Sequence, residues 1–294
     1  MADGLAQRAT GSHGSMQLTP KDYKSDVENT WCPGCGDFGV LSALYQTFAK
    51  LQIPQKDLLI VSGIGCSGRL PVFVSSYSFH VVHGRALPVA LGAKMGNPDL
   101  HVVVVGGDGD AYGIGGGHIP HVARRNSNLT YIVMDNSTYG LTKGQVSPTS
   151  PRGKKSGSTP YGSYEEPINP IAMAITYGAS FVARAFSGKL QEMVDIYSKA
   201  MQHPGFSIIN TLSPCVTFYN TYKDWAAATQ PLPADYDKTD KMKALEWAFR
   251  TDKLWTGIFY QQERQTFEDA IHATVEKAEK AGHRVLQEIM AKFD

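Results

Sequence analysis

Short apolar runs alternate with longer stretches of helical periodicity along most of the chain. The apolar runs predict strands at 58–62, 101–106, 130–135, 179–183 and 206–211. Three of these runs are apolar without alternation, which is typical of strands that helices cover on both faces. Helical periodicity predicts helices at 38–50, 86–95, 117–125, 170–177 and 189–203. The pattern indicates an α/β fold with a mostly parallel sheet.

The remaining segments divide the chain into three parts. Residues 1–16 include a Gly-Ser-His-Gly-Ser-Met run that resembles a vector scar or a polar leader, and they are left out of the fold prediction. We expect residues 17–218 to form the α/β domain. Residues 219–294 are first irregular and then helical at 243–250 and 266–291, which predicts an extension packed on the domain and on a partner. The polar loop 145–164 is long enough to be functional.

Composition and charge exclude two classes of partner. The chain has 294 residues, 42% of them apolar, and a formal net charge of +1 with scattered basic residues. Neither nucleic acid nor an anionic membrane is therefore an expected partner. No apolar run approaches the roughly 18 residues of a membrane span, and the N-terminus lacks an apolar signal core. These features predict a cytoplasmic protein.

Chemically distinctive residues follow four of the predicted strands. Cys66, Asp108, Asn136 and Cys215 each come shortly after a strand end. In an open parallel sheet, ligands bind in the crevice beyond the carboxyl ends of the strands. We therefore expect these four residues to lie on one side of the sheet.

The turn after the strand at 101–106 combines glycines with carboxylates. Gly107-Asp108-Gly109-Asp110 allows amide groups to converge on a phosphate, but it lacks the lysine and hydroxyl of a P-loop. A divalent cation would offset the repulsion between these carboxylates and a diphosphate. Mg²⁺ binds about six oxygen atoms, and Asp108, the Asn136 amide and a nearby carbonyl supply three. The alternative is a pair of ordinary strand-to-helix turns.

Four cysteines predict a metal–sulfur site. Cys32 and Cys35 form a Cys-x-x-Cys turn, while Cys66 and Cys215 stand alone. This arrangement suits an iron–sulfur cubane with one cysteine per iron. A structural zinc site more often uses two such turns or histidines, and it stays the weaker alternative. A disulfide framework is not expected in a cytoplasmic chain.

The spacing of Gly107-Asp108-Gly109 and Asp135-Asn136 resembles the thiamine diphosphate signature. Its context comprises Trp31-Cys-Pro-Gly-Cys-Gly, Gly63-Ile-Gly-Cys-Ser-Gly, His83-Gly-Arg-Ala and Tyr139-Gly-Leu-Thr-Lys-Gly-Gln. Over about residues 22–270 the chain resembles the β subunit of 2-oxoacid:ferredoxin oxidoreductases, a thiamine diphosphate-binding fold. The resemblance implies Mg²⁺ ligation by Asp108, Asn136 and Thr138 and one [4Fe–4S] cluster on Cys32, Cys35, Cys66 and Cys215. The implied thiamine diphosphate residues are Ile64, Gly65, Cys66, His83, Gly107, Asp108, Gly109, Asp110, Asn136, Tyr139, Gly140, Leu141 and Thr142.

The resemblance also implies an activity and its partners. The expected reaction is oxidative decarboxylation of 2-oxoglutarate to succinyl-CoA and CO₂, or its reverse, with coenzyme A as co-substrate. Electrons would pass from the thiamine adduct through the cluster to ferredoxin. Thiamine activation needs a carboxylic acid, which this chain does not supply, so an α subunit is expected in an αβ or (αβ)₂ assembly. Glu165 and Glu166 lie at the end of the polar loop and are not assigned this role.

Substrate residues are predicted close to Cys66. A basic residue at Arg69 is what the resemblance implies for 2-oxoglutarate enzymes, since guanidinium suits a carboxylate. Arg69, His83 and Arg85 are the predicted catalytic residues, and Ser67 and Leu141 complete the substrate pocket. Arg69 could equally be a surface residue or part of an ion pair. Two alternatives remain open: an enzyme for pyruvate or many 2-oxoacids, and a non-catalytic Cys₄ zinc scaffold.

Overall fold

One eight-stranded sheet organises the protein, whose computed structural model describes residues 17–281 and 290–293. The strands are β1 (Leu58–Ser62), β2 (Tyr77–His80), β3 (His101–Gly107), β4 (Thr130–Asp135), β5 (Phe181–Phe186), β6 (Ser207–Leu212), β7 (Thr229–Pro231) and β8 (Leu254–Gln261). Their spatial order is β2-β1-β3-β4-β6-β5-β8-β7. The strands β1 to β6 run parallel, and β8 pairs antiparallel with β5. The mostly parallel sheet was predicted correctly.

Helices cover both faces of this sheet. They are α1 (Asp37–Leu51), α2 (Ala86–Gly96), α3 (Ile119–Arg125), α4 (Pro170–Thr176), α5 (Leu190–Gln202), α6 (Tyr222–Ala228), α7 (Lys241–Ala248) and α8 (Phe267–Lys280). Neighbouring valines of β3 point into different cores, as the pleat of a strand requires. Val103 joins the core with α1 and α5, and Val104 joins the core with α2, α3 and α4. This double cover explains the apolar runs without alternation.

Four elements were missed by the sequence pattern. All four residues of β2 are exposed at the edge of the sheet, so no apolar alternation marks this strand. The strand β7 has three residues, and helix α6 lies in the segment predicted to be irregular. The strand β8 changes register against β5 between Val182 and Ala183, which interrupts the usual alternation. Because β7 and β8 complete the sheet, residues 229–261 of the C-terminal extension are part of the α/β domain.

Two predictions fall partly outside the described residues. The leader at 1–16 lies outside them, as does 282–289 within the helix predicted at 266–291. The described part of that helix is α8. Thr266 caps its N-terminus, since the Thr266 side chain accepts a hydrogen bond from the Asp269 amide. None of the helices in the described ranges has the length and apolar character to cross a membrane.

Candidate cofactor site

A cavity of about 210 Å³ opens at the carboxyl ends of β1, β3 and β4. All thirteen residues predicted to bind thiamine diphosphate line it, and so do Ser67 and Thr138. Asp37 and Met134 complete the wall without having been predicted. The cavity forms because three neighbouring parallel strands end at the same side of the sheet, which is where such folds bind ligands.

Asp108 is buried at the floor of this cavity, directly after β3. The hydroxyl groups of Ser147 and Thr149 both donate hydrogen bonds to its Oδ2 atom, and the Thr149 distance is 2.7 Å. Burial, followed by the nearby charge of Asp135, raises the pKa of Asp108. A bound cation would favour the ionised form of this carboxylate.

The turn after β4 presents Asn136 and Thr138 to the same cavity. The Asn136 Oδ1 atom accepts a hydrogen bond of 3.0 Å from the Thr138 amide, and Ser137 between them has a φ of 52°. The Thr138 hydroxyl donates to the carbonyl of Gln145 at 2.9 Å, which ties the turn to the following loop. Carboxylate, amide and carbonyl oxygen atoms form a donor set that suits Mg²⁺.

Asp110 joins two walls of the cavity. Its Oδ1 atom accepts hydrogen bonds from the Ile64 amide at 3.0 Å, the Gly84 amide at 2.8 Å and His83 Nδ1 at 2.8 Å. These three residues follow β1 and β2, so one carboxylate fixes both loops against the turn after β3. The Oδ2 atom is buried without a hydrogen-bond partner among the described residues.

The four cysteines come from three loops that pack together. The Gly36 amide donates a hydrogen bond of 3.1 Å to the carbonyl of Pro214, which docks the Cys-x-x-Cys turn beside Cys215. Trp31 Nε1 donates a hydrogen bond of 2.7 Å to the carbonyl of Cys66. A Cβ atom placed on Gly140 would lie 3.6 Å from the sulfur of Cys215 and 3.7 Å from that of Cys66. The fold therefore packs the three cysteine-bearing loops against one another, and Cys66 also lines the cavity.

Burial favours the protonated form of the Cys35 and Cys66 thiols. It raises the pKa of Cys66 to about 11, with a further contribution from the charge of Asp37, and it also raises the pKa of Cys35. Cys32 is exposed. Metal binding by these thiols would therefore release protons. Within 17–281 and 290–293, no group of three or more His, Cys, Asp or Glu side chains has the spacing to hold a single metal ion.

Two predicted catalytic residues lie outside the cavity wall. Arg69 is exposed, and its Nη1 atom donates to the Thr30 hydroxyl at 3.1 Å. Arg85 Nη1 donates to the carbonyl groups of Gly84 at 3.2 Å and Ile114 at 3.3 Å. Leu141, predicted for the substrate pocket, lines the cavity with 46% of its surface exposed.

Several polar residues around the site escaped the sequence analysis. Asp37 is buried, and burial raises its pKa to about 6 although Ser213 donates a 2.6 Å hydrogen bond to it. Lys154 donates to the carbonyl of Ser137 and lies 3.9 Å from the centre of the Tyr219 ring. Burial lowers the pKa of Lys154 to about 8. Three of the four residues at 147–150 carry a hydroxyl group, and this was the available sequence signal for polar contacts around the site.

A second cavity of about 600 Å³ adjoins the site. It lies between the ends of β4 and β6 and the segment 248–254, and Asp135, Thr149 and Arg184 are among its lining residues. Arg184 Nη1 donates a 3.3 Å hydrogen bond to the carbonyl of Trp255. Since Thr149 also contacts Asp108, this residue separates the two cavities.

Family models cover most of the chain. Residues 63–211 match the C-terminal TPP-binding domain of thiamine pyrophosphate enzymes. Residues 215–276 match the C-terminal region of the pyruvate ferredoxin oxidoreductase beta subunit. The first match includes the turns after β1, β3 and β4, so it contains most of the cavity wall.

Curated relatives and a solved structure agree with these matches. The β subunit of 2-oxoacid:ferredoxin oxidoreductase 2 from Aeropyrum pernix is 38% identical over 85% of this chain and 86% of its own. The 2-oxoglutarate synthase subunit KorB from Methanocaldococcus jannaschii is 38% identical over 85% and 94%, respectively. The 2-oxoglutarate:ferredoxin oxidoreductase of Magnetococcus marinus, solved with 2-oxoglutarate, coenzyme A and succinyl-CoA bound, superposes with a TM-score of 0.91 at 44% identity, covering 96% of this chain and 98% of that one. With this degree of similarity along nearly its whole length, the chain belongs to the β subunits of the 2-oxoacid:ferredoxin oxidoreductases.

Proposed function

We propose that this β subunit, together with an α subunit, converts 2-oxoglutarate and coenzyme A to succinyl-CoA and CO₂, or catalyses the reverse, with ferredoxin as electron carrier. The observation that carries the proposal is the cavity that brings Asp108, Asn136 and Thr138 together beside Cys66. The choice of 2-oxoglutarate is supported by the relative named 2-oxoglutarate synthase and by the ligands of the solved neighbour.

Asp108, Asn136 and the Thr138 carbonyl would hold Mg²⁺, and the diphosphate would complete its coordination. Position 109 in the wall of the cavity requires glycine, because a Cβ atom on Gly109 would overlap the Tyr139 ring. The thirteen residues predicted from the sequence would bind thiamine diphosphate, and Ser67 and Leu141 would contact the substrate. Bound thiamine diphosphate supplies carbanion chemistry, and a [4Fe–4S] cluster supplies one-electron transfer.

Cys32, Cys35, Cys66 and Cys215 would hold the cluster. Their donor set is entirely sulfur, and the three loops that carry them pack against one another. In a cubane each thiolate binds a different iron, so the four sulfur atoms can lie farther apart than around zinc. One zinc ion needs all its sulfur ligands at about 2.3 Å from the same metal. This comparison favours the cluster over the structural zinc site.

His83 and the walls of the cavity would orient and shield the reacting groups. Asp110 fixes His83 by accepting a hydrogen bond from Nδ1, which leaves Nε2 to approach a ligand in the cavity. Ile64 and Leu141 at the rim expose 37% and 46% of their surfaces. An α subunit packed on this rim would exclude water and bring the carboxylic acid that thiamine activation needs.

Metal analysis tests the redox assignment. After anaerobic purification of the αβ complex, we expect about four iron atoms and matching acid-labile sulfide per β subunit, as a single cubane requires. Stoichiometric zinc without iron would instead identify the Cys₄ scaffold. The β subunit purified alone should show no turnover, and robust activity of that preparation would refute the need for an α subunit.

The substrate assignment depends on Arg69. In Arg69→Ala the loss of a charge-assisted hydrogen bond should reduce kcat/KM for 2-oxoglutarate by roughly 10- to 100-fold and leave that for pyruvate unchanged. Arg124→Ala, at another exposed arginine, is the matched control. Equal losses for both substrates would contradict the assignment. Since Arg69 lies outside the cavity wall and hydrogen bonds to Thr30, a broad-specificity enzyme is the second candidate, and unchanged kinetics would favour it.

A further inference from the structure

One hydroxyl group connects two buried carboxylates next to the cofactor cavity. Thr149 Oγ1 lies 2.7 Å from Asp108 Oδ2 and 2.7 Å from Asp135 Oδ1. Asp108 and Asp135 expose only 2% and 3% of their surfaces. Thr149 comes from the loop after β4, about 40 residues beyond Asp108 in sequence. The contact is therefore a tertiary connection between a distant loop and the turn that carries Asp108.

Asp135 is itself firmly held by the sheet. It is the last residue of β4, and its Oδ1 atom accepts a 3.0 Å hydrogen bond from the Ser137 amide. Its Oδ2 atom accepts a 3.2 Å hydrogen bond from Asn210 Nδ2 on β6. The Oδ1 atom of Asn210 in turn accepts a 2.9 Å hydrogen bond from the Tyr112 hydroxyl. Through Asp135, Thr149 thus ties the turn after β3 to the two central strands.

Thr149 contacts Asp108 from outside the cofactor cavity. It lines the neighbouring cavity of about 600 Å³ and is absent from the wall of the smaller one. The Ser147 hydroxyl also contacts Oδ2 of Asp108, so neither hydroxyl occupies Oδ1. This geometry leaves one carboxylate oxygen to the cavity and fixes the other from behind. Such outer contacts commonly set the orientation of a metal ligand.

We propose that Thr149 is a positioning residue that orients Asp108 for a divalent cation bound to a diphosphate. Its hydroxyl lies between Asp135 Oδ1 and Asp108 Oδ2 and donates its one proton to Oδ2, which leaves Oδ1 of Asp108 for the cation. The proposal rests on the proposed function, because it takes Mg²⁺ and thiamine diphosphate as the ligands of the cavity. It goes beyond that function by assigning the orientation of the site to a loop residue that touches neither ligand.

The test compares variants of the assembled αβ complex in their need for Mg²⁺. Thr149→Val keeps the shape of the side chain and removes the hydroxyl. We expect the Mg²⁺ concentration for half-maximal thiamine diphosphate binding, measured by titration calorimetry, to rise about 10- to 100-fold. Thr149→Ser restores the hydroxyl and should restore the wild-type value. Thr159→Val is the matched control, since Thr159 belongs to the same loop and its hydroxyl contacts only loop atoms.

Thermal melting without Mg²⁺ separates positioning from stability. Binding is measured well below the melting temperature of each variant, and Thr149→Ala provides a second hydroxyl-free side chain if Thr149→Val does not assemble. An unchanged Mg²⁺ requirement in either variant would overturn the proposal, and so would a failure of Thr149→Ser to restore it. If the wild-type complex bound no thiamine diphosphate with saturating Mg²⁺, the proposed function would fail, and the positioning role with it.

Discussion

At Gly36 the Cys-x-x-Cys turn packs directly against the loop that carries Cys215. The backbone conformation of Gly36, with φ of −59° and ψ of −25°, is open to any residue, so an alanine would be limited only by space. A Cβ atom here would lie 2.7 Å from the Ser213 carbonyl carbon and 2.8 Å from the Pro214 nitrogen. Both are backbone atoms, so the two loops must separate to accommodate the methyl group.

The size of the effect follows from these distances. Ordinary van der Waals contact begins near 3.4 Å, so Gly36→Ala must move the loops apart by about 0.7 Å. Overpacking of this kind costs about 1–3 kcal/mol of folding free energy. At about 2–4 °C per kcal/mol for a domain of this size, the melting temperature should fall by a few degrees. The same movement carries Cys35 away from Cys215, which should reduce iron incorporation much more than it reduces stability.

The assay reconstitutes Gly36→Ala anaerobically with iron and sulfide and measures the iron per chain, the cluster absorbance and the melting temperature. Gly92→Ala is the control, because its Cβ atom meets nothing within 4 Å in helix α2. Alanine there should stabilise the protein by about 0.5–1 kcal/mol and leave iron uptake unchanged. If Gly36→Ala took up as much iron as the wild type, the docking of the two loops would not control the proposed cluster site.

Two further predictions concern the cofactor turn and a buried histidine. In Gly109→Ala the new Cβ atom would clash with the Tyr139 ring, which should weaken thiamine diphosphate binding roughly 10- to 100-fold when measured by calorimetry. Gly117→Ala is the control and should bind normally, because a Cβ atom there meets nothing within 4 Å. Equal affinities of the two variants would refute a close fit of thiamine diphosphate against Gly109. Burial lowers the pKa of His203 to about 4. Because the unfolded chain takes up a proton below about pH 6.5 that the folded protein does not bind, His203 should contribute a loss of about 2 kcal/mol of stability as the pH falls from 7.5 to 5.0. Urea unfolding at pH 7.5 and 5.0 should therefore show a smaller pH-dependent loss for His203→Gln, and identical losses would contradict the assignment.

The fold was predictable wherever burial left a mark on the sequence. The strands β1, β3 and β4 are covered on both faces, so their apolar runs are continuous and their positions were predicted correctly. The edge strand β2 is exposed along its whole length and is therefore indistinguishable from a polar loop. The strand β8 owes its place to pairing with β5, a long-range contact that its own residues do not encode.

The cavity was predictable because its residues directly follow strand ends. Asp108 and Asn136 are fixed by the ends of β3 and β4, so chain order alone indicates that they meet. Thr149 was missed because it reaches Asp108 through the folding back of a loop without periodicity. Asp37 was missed because an acidic residue in the first turn of a helix is usually solvated, whereas here Ser213 covers it.

Most of the cavity wall comes from loops after β1, β3 and β4, and these are neighbouring strands, none of which lies at an edge of the sheet. Separation of these strands would remove the cavity wall and release a ligand bound there. Its binding free energy is therefore coupled to the unfolding of the whole domain rather than to the opening of one loop. A ligand at 100 times its Kd would add about 2.7 kcal/mol to the global stability. Resistance to unfolding thus becomes a direct measure of cofactor loading.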